Sequence, residues 1–491
     1  MEDIQRPSEP VNCKNFAGGD WLSQSGKNID VYSPLFGDKI GNFKSSTSDD
    51  VEKLVAKASQ AYPLWRDTPL KERTQIMFRF REILIRDMDK ISSIVSLENG
   101  KTVAESKAGI LKGIEVLEFA LSLQNLDSMG TMEVSRGVQC EYRREPLGVV
   151  ASITPFNFPA MVPMWTIPIA LTVGNCYVWK PSEKTPLTSQ YLGKALEEAG
   201  IPKGVFSIAQ GDRETVEALI DHKDVKAISF VGSTKVAKAV YQRATNLGKR
   251  CLALGGAKNH IILMPDADIN LCYGISDSFT GCAGQRCMAA AVVLAVGDVD
   301  KQIEEIKKRA NSMVLGKDMG AIITKEQVDF LQGAIDQAVK DGATLLVDGR
   351  NQTADGNLKQ GYWIGPTILD NVKPGSQAAT HELFGPVLAI IRCKNLSEAL
   401  EIENSIDYGN ACSVFTQNGA VAERVAREAR AGMIGVNIGV PVPREPFSFG
   451  GINDSKFGHG DITGAHSLDF WSNIKKVTKK WELQKDTNWM G

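Results

Sequence analysis

Gly281-Cys282-Ala283-Gly284-Gln285-Arg286-Cys287 sets a cysteine beside a cation in a loop of small residues. Such a loop lets a carbonyl carbon approach the sulfur of Cys287, while Arg286 favours the thiolate or holds an anionic substrate. The motif also fits an inert buried cysteine, and Cys282 fits that description better. Asn157, in Thr154-Pro155-Phe156-Asn157-Phe158-Pro159, offers an amide donor to an oxyanion or, equally, an Asx-type turn. Lys180-Pro181-Ser182-Glu183 supplies a cation and a carboxylate suited to ribose hydroxyls or to a solvated loop.

Other chemistries are poorly served. There is no G-x-G-x-x-G fingerprint and no G-x-S-x-G elbow, and a P-loop fails because Val95 stands where its first glycine belongs. His381-Glu382 lacks the second histidine of a zinc helix, so no metal is expected.

The elements that must position these residues follow from apolar spacing. Short apolar runs at 149–153, 177–179, 205–208, 227–231 and 251–254 alternate with helix-like stretches near 160–172, 186–199, 213–221 and 234–247. Runs of this length joined by helices predict parallel strands with right-handed crossovers, a doubly wound α/β sheet. Ligands bind beyond the carboxyl ends of such strands. The loops at 154–159, 180–184, 232–234 and 255–258 are therefore the places to look. Ser48 as N-cap precedes a helical stripe from Val51 to Tyr62, and the remainder up to residue 125 reads as mostly helical after a polar N-terminal stretch. A second α/β unit runs from about 261 to 450, with helices near 301–315 and 325–341. Residues 129–144 and the tail from about Asp469 read as strands too isolated for a core of their own, which suits an oligomer contact.

The chain of 491 residues balances 56 Lys plus Arg against 58 Asp plus Glu, which gives no field to gather nucleic acid. Nine dispersed cysteines without a C-x-x-C pair, and an acidic N-terminus, point to a reducing, cytoplasmic setting. The uncharged segment from Leu147 to Trp179 is broken by Pro155, Pro159, Pro163 and Pro168, so it reads as buried core and no membrane partner is expected.

Taken together, Asn157 in P-F-N-F-P, Lys180 in K-P-S-E, Gly232-Ser233-Thr234, Gly284-Gln285-Arg286-Cys287 and Glu382-Leu383-Phe384-Gly385-Pro386 resemble the NAD(P)-dependent aldehyde dehydrogenase superfamily over nearly the whole chain. The resemblance implies a Rossmann-like cofactor domain (1–126 and 146–255), a catalytic α/β domain (256–450), and a small β oligomerisation arm with the C-terminal tail (127–145 and 451–491). It implies Cys287 as nucleophile, with Asn157 and the Cys287 N–H as oxyanion hole. Thr154, Phe156, Lys180, Glu183, Lys184, Ser233, Glu382 and Phe384 are implied cofactor contacts, with Ser233 opening a helix whose amides face pyrophosphate. Glu183 near the adenosine ribose favours NAD over NADP, and Lys184 softens that preference.

One departure is informative. Ala253, in Ala253-Leu254-Gly255-Gly256-Ala257-Lys258-Asn259-His260, stands where hydrolytic relatives resemble E-L-G-G-K, whose glutamate activates water. A methyl group removes no proton, so a partly ionised thiol such as coenzyme A becomes the favoured acceptor. G-A-K-N-H, G-Q-R-C and Pro443-Arg444-Glu445-Pro446 resemble the CoA-acylating methylmalonate-semialdehyde dehydrogenase branch. That implies oxidation of malonate or methylmalonate semialdehyde, loss of the β-carboxylate, and release of acetyl-CoA or propanoyl-CoA by a homo-oligomer, a dimer or tetramer. The branch holds its substrate carboxylate with two arginines. Arg286 matches one, and Lys112 stands in place of the other, keeping the charge but losing the bidentate fork. Two alternatives stand beside this reading: a non-acylating dehydrogenase of another small anionic aldehyde, and a non-catalytic relative.

Overall fold

The computed structural model describes residues 1, 4–126 and 130–481. Its centre is an eight-stranded sheet whose middle five strands, in spatial order Arg250–Leu254, Val225–Val231, Val149–Ile153, Cys176–Lys180 and Phe206–Ile208, are parallel. Val149–Ile153 and Cys176–Lys180 are buried throughout, as expected for strands covered on both faces. The strand order reverses at Val149–Ile153: the chain first moves to one side through Cys176–Lys180, then crosses to Val225–Val231 on the other. That reversal opens a crevice at the carboxyl ends, where Thr154–Asn157 and Gly232–Ser233 lie. Between the first two strands the uncharged segment breaks into short helices, Met161–Met164 and Ile167–Val173, every residue of the latter buried. No described helix is long and apolar enough to cross a membrane.

The second sheet has seven strands, in the order Thr344–Val347, Thr367–Asp370, Val387–Cys393, Ala290–Val296, Asn259–Leu263, Ala411–Phe415 and Met433–Val436. All neighbours are parallel except the first pair. A third sheet pairs Ser472–Lys480, Val138–Pro146 and Thr131–Ser135 antiparallel, and its edge strand Thr131–Ser135 is exposed along its whole length. Residues 127–129 and 482–491 of the expected arm and tail lie outside the described residues.

The N-terminal stretch departs from its expectation as a polar lead-in. It holds five short strands between Val11 and Lys44, of which Asn15–Ala17 and Asp20–Leu22 extend the edge of the eight-stranded sheet. Strands of two to six residues carry too few alternations to stand out in a sequence. The first helix, Ser48–Asp67, is capped by Thr47 rather than Ser48. The N-cap backbone bonds the Asp50 carboxylate, and the Thr47 hydroxyl accepts the Asp50 N–H, completing a capping box.

Helix Val103–Leu126 opens with a similar device: Thr102 N–H donates to Glu105 Oε2 at 2.9 Å, and Glu105 N–H to the Thr102 hydroxyl at 3.1 Å. The other oxygen of Glu105 accepts the Cys282 N–H at 2.5 Å. One helix cap thus anchors the cysteine loop, 177 residues away.

Candidate active site

Cys287 lies just after a turn, Gly281–Gly284, in which Cys282 and Ala283 both adopt φ of 52°. Left-handed backbone at consecutive non-glycine residues is strained and persists only where its surroundings impose it. Here they do. The Gln285 amide donates to Cys282 O (3.3 Å) and Ala321 O (3.1 Å) and accepts from Ile323 N–H (3.0 Å). The Cys287 carbonyl accepts the side-chain amides of Asn259 (2.7 Å) and Asn410 (2.9 Å), so the nucleophile candidate is fixed from both sides. Asn259 also donates to Ala289 O and accepts the Ala411 N–H, tying the loop to neighbouring strands.

Asn157 is buried, and its Nδ2 donates to Gln285 O at 3.0 Å. A side-chain amide has a second N–H, free to donate to an oxygen at the sulfur. The turn carrying it is held from the helical layer: Asn99 donates to Phe156 O (2.9 Å), and the buried Lys101 ammonium donates to Asn157 O (2.6 Å) and lies over the Phe158 ring. Asn157→Ala is expected to lower kcat by about 10²–10³-fold while the aldehyde KM changes little, as for a lost oxyanion donor. Steady-state kinetics check this, and a loss below tenfold assigns the amide to loop structure alone.

The partly exposed Cys287 stands in the wall between two cavities. On one side, a cavity of about 230 Å³ brings together Phe156, Asn157, Ser233, Glu382 and Phe384. Phe156 and Phe384 meet edge to face at 5.9 Å, and the Lys184 ammonium lies 5.1 Å from the Phe156 ring. Ser233 is the N-cap of helix Thr234–Asn246. The Glu382 carboxylate accepts the Ala257 N–H at 3.0 Å, and burial pushes its pKa up to about 7. A Cβ on Gly256 would lie 2.3 Å from Glu382 Oε2, so only glycine leaves room for that carboxylate. Three implied cofactor contacts fall outside this lining besides Lys184. Thr154 is buried, its hydroxyl accepting the Trp179 indole N–H at 2.8 Å, and Lys180 pairs with Glu183 at 3.2 Å.

On the other side, a cavity of about 370 Å³ is lined by Arg286, Lys112, Glu105, Glu445 and Phe158. One Arg286 nitrogen, Nη2, donates to the carbonyls of Asp277 and Ser278, both at 2.7 Å, while its Nε is buried without a hydrogen-bond partner among the described residues. A Cβ on Gly281 would stand 2.2 Å from Nη2, so this glycine admits the guanidinium. Lys112 differs from a free anion-binding cation: its ammonium bonds Glu115 and Glu445, each at 3.0 Å.

Desolvation pushes the Cys287 thiol up to about 12, and the Glu382 carboxylate adds to that while Arg286 opposes it. Ala253, one residue before the end of strand Arg250–Leu254, has no exposed surface, and its methyl group carries no base.

The profile of the aldehyde dehydrogenase family matches residues 21–477. This chain belongs to that family. The aldehyde dehydrogenase is 40% identical over 484 residues to malonate-semialdehyde dehydrogenase 2 of Geobacillus thermodenitrificans (strain NG80-2), covering 96% of this chain and 100% of the relative. It is 36% identical to the crystal structure of methylmalonate-semialdehyde dehydrogenase from Oceanimonas doudoroffii, with TM-score 0.94 over 96% of this chain and 99% of that one. A Sinorhizobium meliloti 1021 structure assigned the same activity, complexed with NAD, aligns with TM-score 0.95 at 35% identity over 98% of this chain and 100% of that one.

Several residues of this aldehyde dehydrogenase site escaped the sequence reading. Asn410, Lys101 and Glu105 act on the site loops by bonds to main chain, while Gln285 and Asn259 appeared only as letters in motifs. Only Glu105 had a local signal, the T-x-x-E box, and that signal speaks of a helix start rather than of a site.

Proposed function

We propose that this aldehyde dehydrogenase oxidises malonate or methylmalonate semialdehyde, with NAD as hydride acceptor, and transfers the shortened acyl group to coenzyme A. The observation that carries this is the position of Cys287 between a cavity holding Glu382, Phe156 and Phe384 and a cavity holding Arg286 and Lys112, together with an alanine, Ala253, where hydrolytic relatives resemble glutamate.

The smaller cavity fits a dinucleotide on its own residues. Gly232, Gly255 and Gly256 let the backbone come close, Phe156 and Phe384 offer ring faces, and Glu382 has a carboxylate oxygen left for ribose hydroxyls. Thr154, Lys180, Glu183 and Lys184 belong to the same reading, around the turn at the strand ends. NAD held there supplies an acceptor for the hydride leaving the substrate carbon.

The chain's own residues do the rest. Cys287 gives its proton to solvent in the cavity, and its sulfur attacks the aldehyde carbon as the carbonyl π pair moves onto oxygen, giving a hemithioacetal oxyanion. That oxygen accepts the Asn157 amide and the Cys287 N–H. Collapse of the oxyanion with departure of hydride leaves a thioester on Cys287. The C–C bond to the β-carboxylate then breaks, releasing carbon dioxide, and the electron pair forms a thioester enolate stabilised by the same two donors. Protonation of its carbon gives acetyl or propanoyl thioester, which the CoA thiolate displaces from Cys287. Arg286 holds the substrate carboxylate before it leaves.

The exposed edge strand Thr131–Ser135 supports assembly into a homo-oligomer through the third sheet. A cytoplasmic location suits nine unpaired cysteines and the use of CoA. The test is a product panel with NAD and CoA present. Malonate semialdehyde is expected to give acetyl-CoA with release of carbon dioxide or bicarbonate, and methylmalonate semialdehyde propanoyl-CoA. Free acid as the main product from both would overturn the reading.

A further inference from the structure

Glu445 lies 333 residues from Lys112 in sequence, yet its carboxylate is seated on the Lys112 ammonium inside the cavity that Cys287 and Arg286 line. Its side chain is only 8% exposed. Lys112 bonds Glu115 as well, and Arg444 lies 3.3 Å from the second Glu115 oxygen, so two carboxylates and two cations neutralise each other at this end of the cavity. An ammonium has three N–H donors, and two are already spent on carboxylates. A substrate carboxylate reaching the third would be another anion about one cation. Arg286 presents the opposite case: its bonds run to neutral main-chain carbonyls, and among the described residues it forms no ion pair.

We propose that Glu445 is a specificity-determining residue, which occupies Lys112 and leaves Arg286 as the working partner of the aldehyde's carboxylate. The cavity then discriminates less strongly in favour of carboxylate-bearing aldehydes than two free cations would. This rests on the carboxylate-aldehyde reading above, and it names the residue that sets the strength of that preference.

The experiment compares malonate semialdehyde with propanal, a neutral aldehyde of the same carbon count, measuring kcat/KM for CoA-dependent NADH formation. In Glu445→Gln the ratio of malonate semialdehyde to propanal is expected to rise about tenfold, mainly through a lower KM for the charged substrate. In Lys112→Met/Glu445→Gln that gain is expected to vanish, since the freed cation is gone. Glu445→Ser provides a second route should Glu445→Gln fold poorly: it too removes the carboxylate from Lys112, so its ratio rises as well. An unchanged or lower ratio in whichever of Glu445→Gln and Glu445→Ser folds overturns the role of Glu445 while leaving the function standing. Absence of acetyl-CoA from wild-type enzyme and malonate semialdehyde overturns the function and this proposal with it.

Discussion

Cys287→Ala is expected to abolish NADH formation and acyl-CoA formation together, by at least about 10⁴-fold, as loss of an attacking nucleophile does elsewhere. The two activities fall together because both pass through one sulfur: without the hemithioacetal no hydride leaves, and without the thioester there is nothing for CoA to displace. The neighbouring thiol does not substitute. Cys282 is buried, its backbone held in a left-handed turn by Glu105 and Gln285, and burial raises its pKa as well. Cys282→Ala therefore retains activity within about tenfold of wild type, the cost of disturbing a packed turn. Stopped-flow NADH absorbance and chromatography of CoA esters check both variants. Full loss in Cys282→Ala with activity retained in Cys287→Ala would exchange their roles.

Leaving out CoA is expected to stop the enzyme after one turnover. A burst of NADH equal to the enzyme concentration should form, followed by a steady rate about 10²–10⁴-fold below that with CoA, the usual worth of a missing general base. Ala253 is the reason. It lies one residue before the end of its strand, paired with Phe230 on one side and Phe457 on the other, and presents a methyl group. The carboxylate of Glu382 lines the cofactor-side cavity, but the Ala257 N–H holds one of its oxygens and the dinucleotide reading gives the other to ribose. A thiol needs no such help, since a CoA thiol is partly ionised at neutral pH. A steady rate without CoA equal to that with CoA would mean that water is being activated by a group from elsewhere in the fold.

Much of this architecture is legible in the sequence because parallel strands buried on both faces read as short apolar runs, such as Val149–Ile153, with helical spacing between them. Parallel strands joined by crossovers put Thr154–Asn157 beyond a carboxyl end, where such sheets bind ligands. What the sequence hides is pairing at long range. Nothing near Lys112 announces Glu445, and nothing near Cys287 announces Asn410, 123 residues on. A polar side chain bonded to distant main chain leaves no period and no local composition to read. The N-terminal strands were hidden for a different reason: they are shorter than the repeat needed to recognise alternation, and sheet pairing rather than their own sequence stabilises them.

The most direct measurement is a mass map of enzyme mixed with NAD and malonate semialdehyde, without CoA, and quenched in acid during the burst. The account predicts an acetyl group on the peptide carrying Cys287, at close to one per subunit, which disappears when CoA is added before the quench. An acyl group on Cys282, or unmodified enzyme alongside free acid equal to the NADH formed, would contradict it.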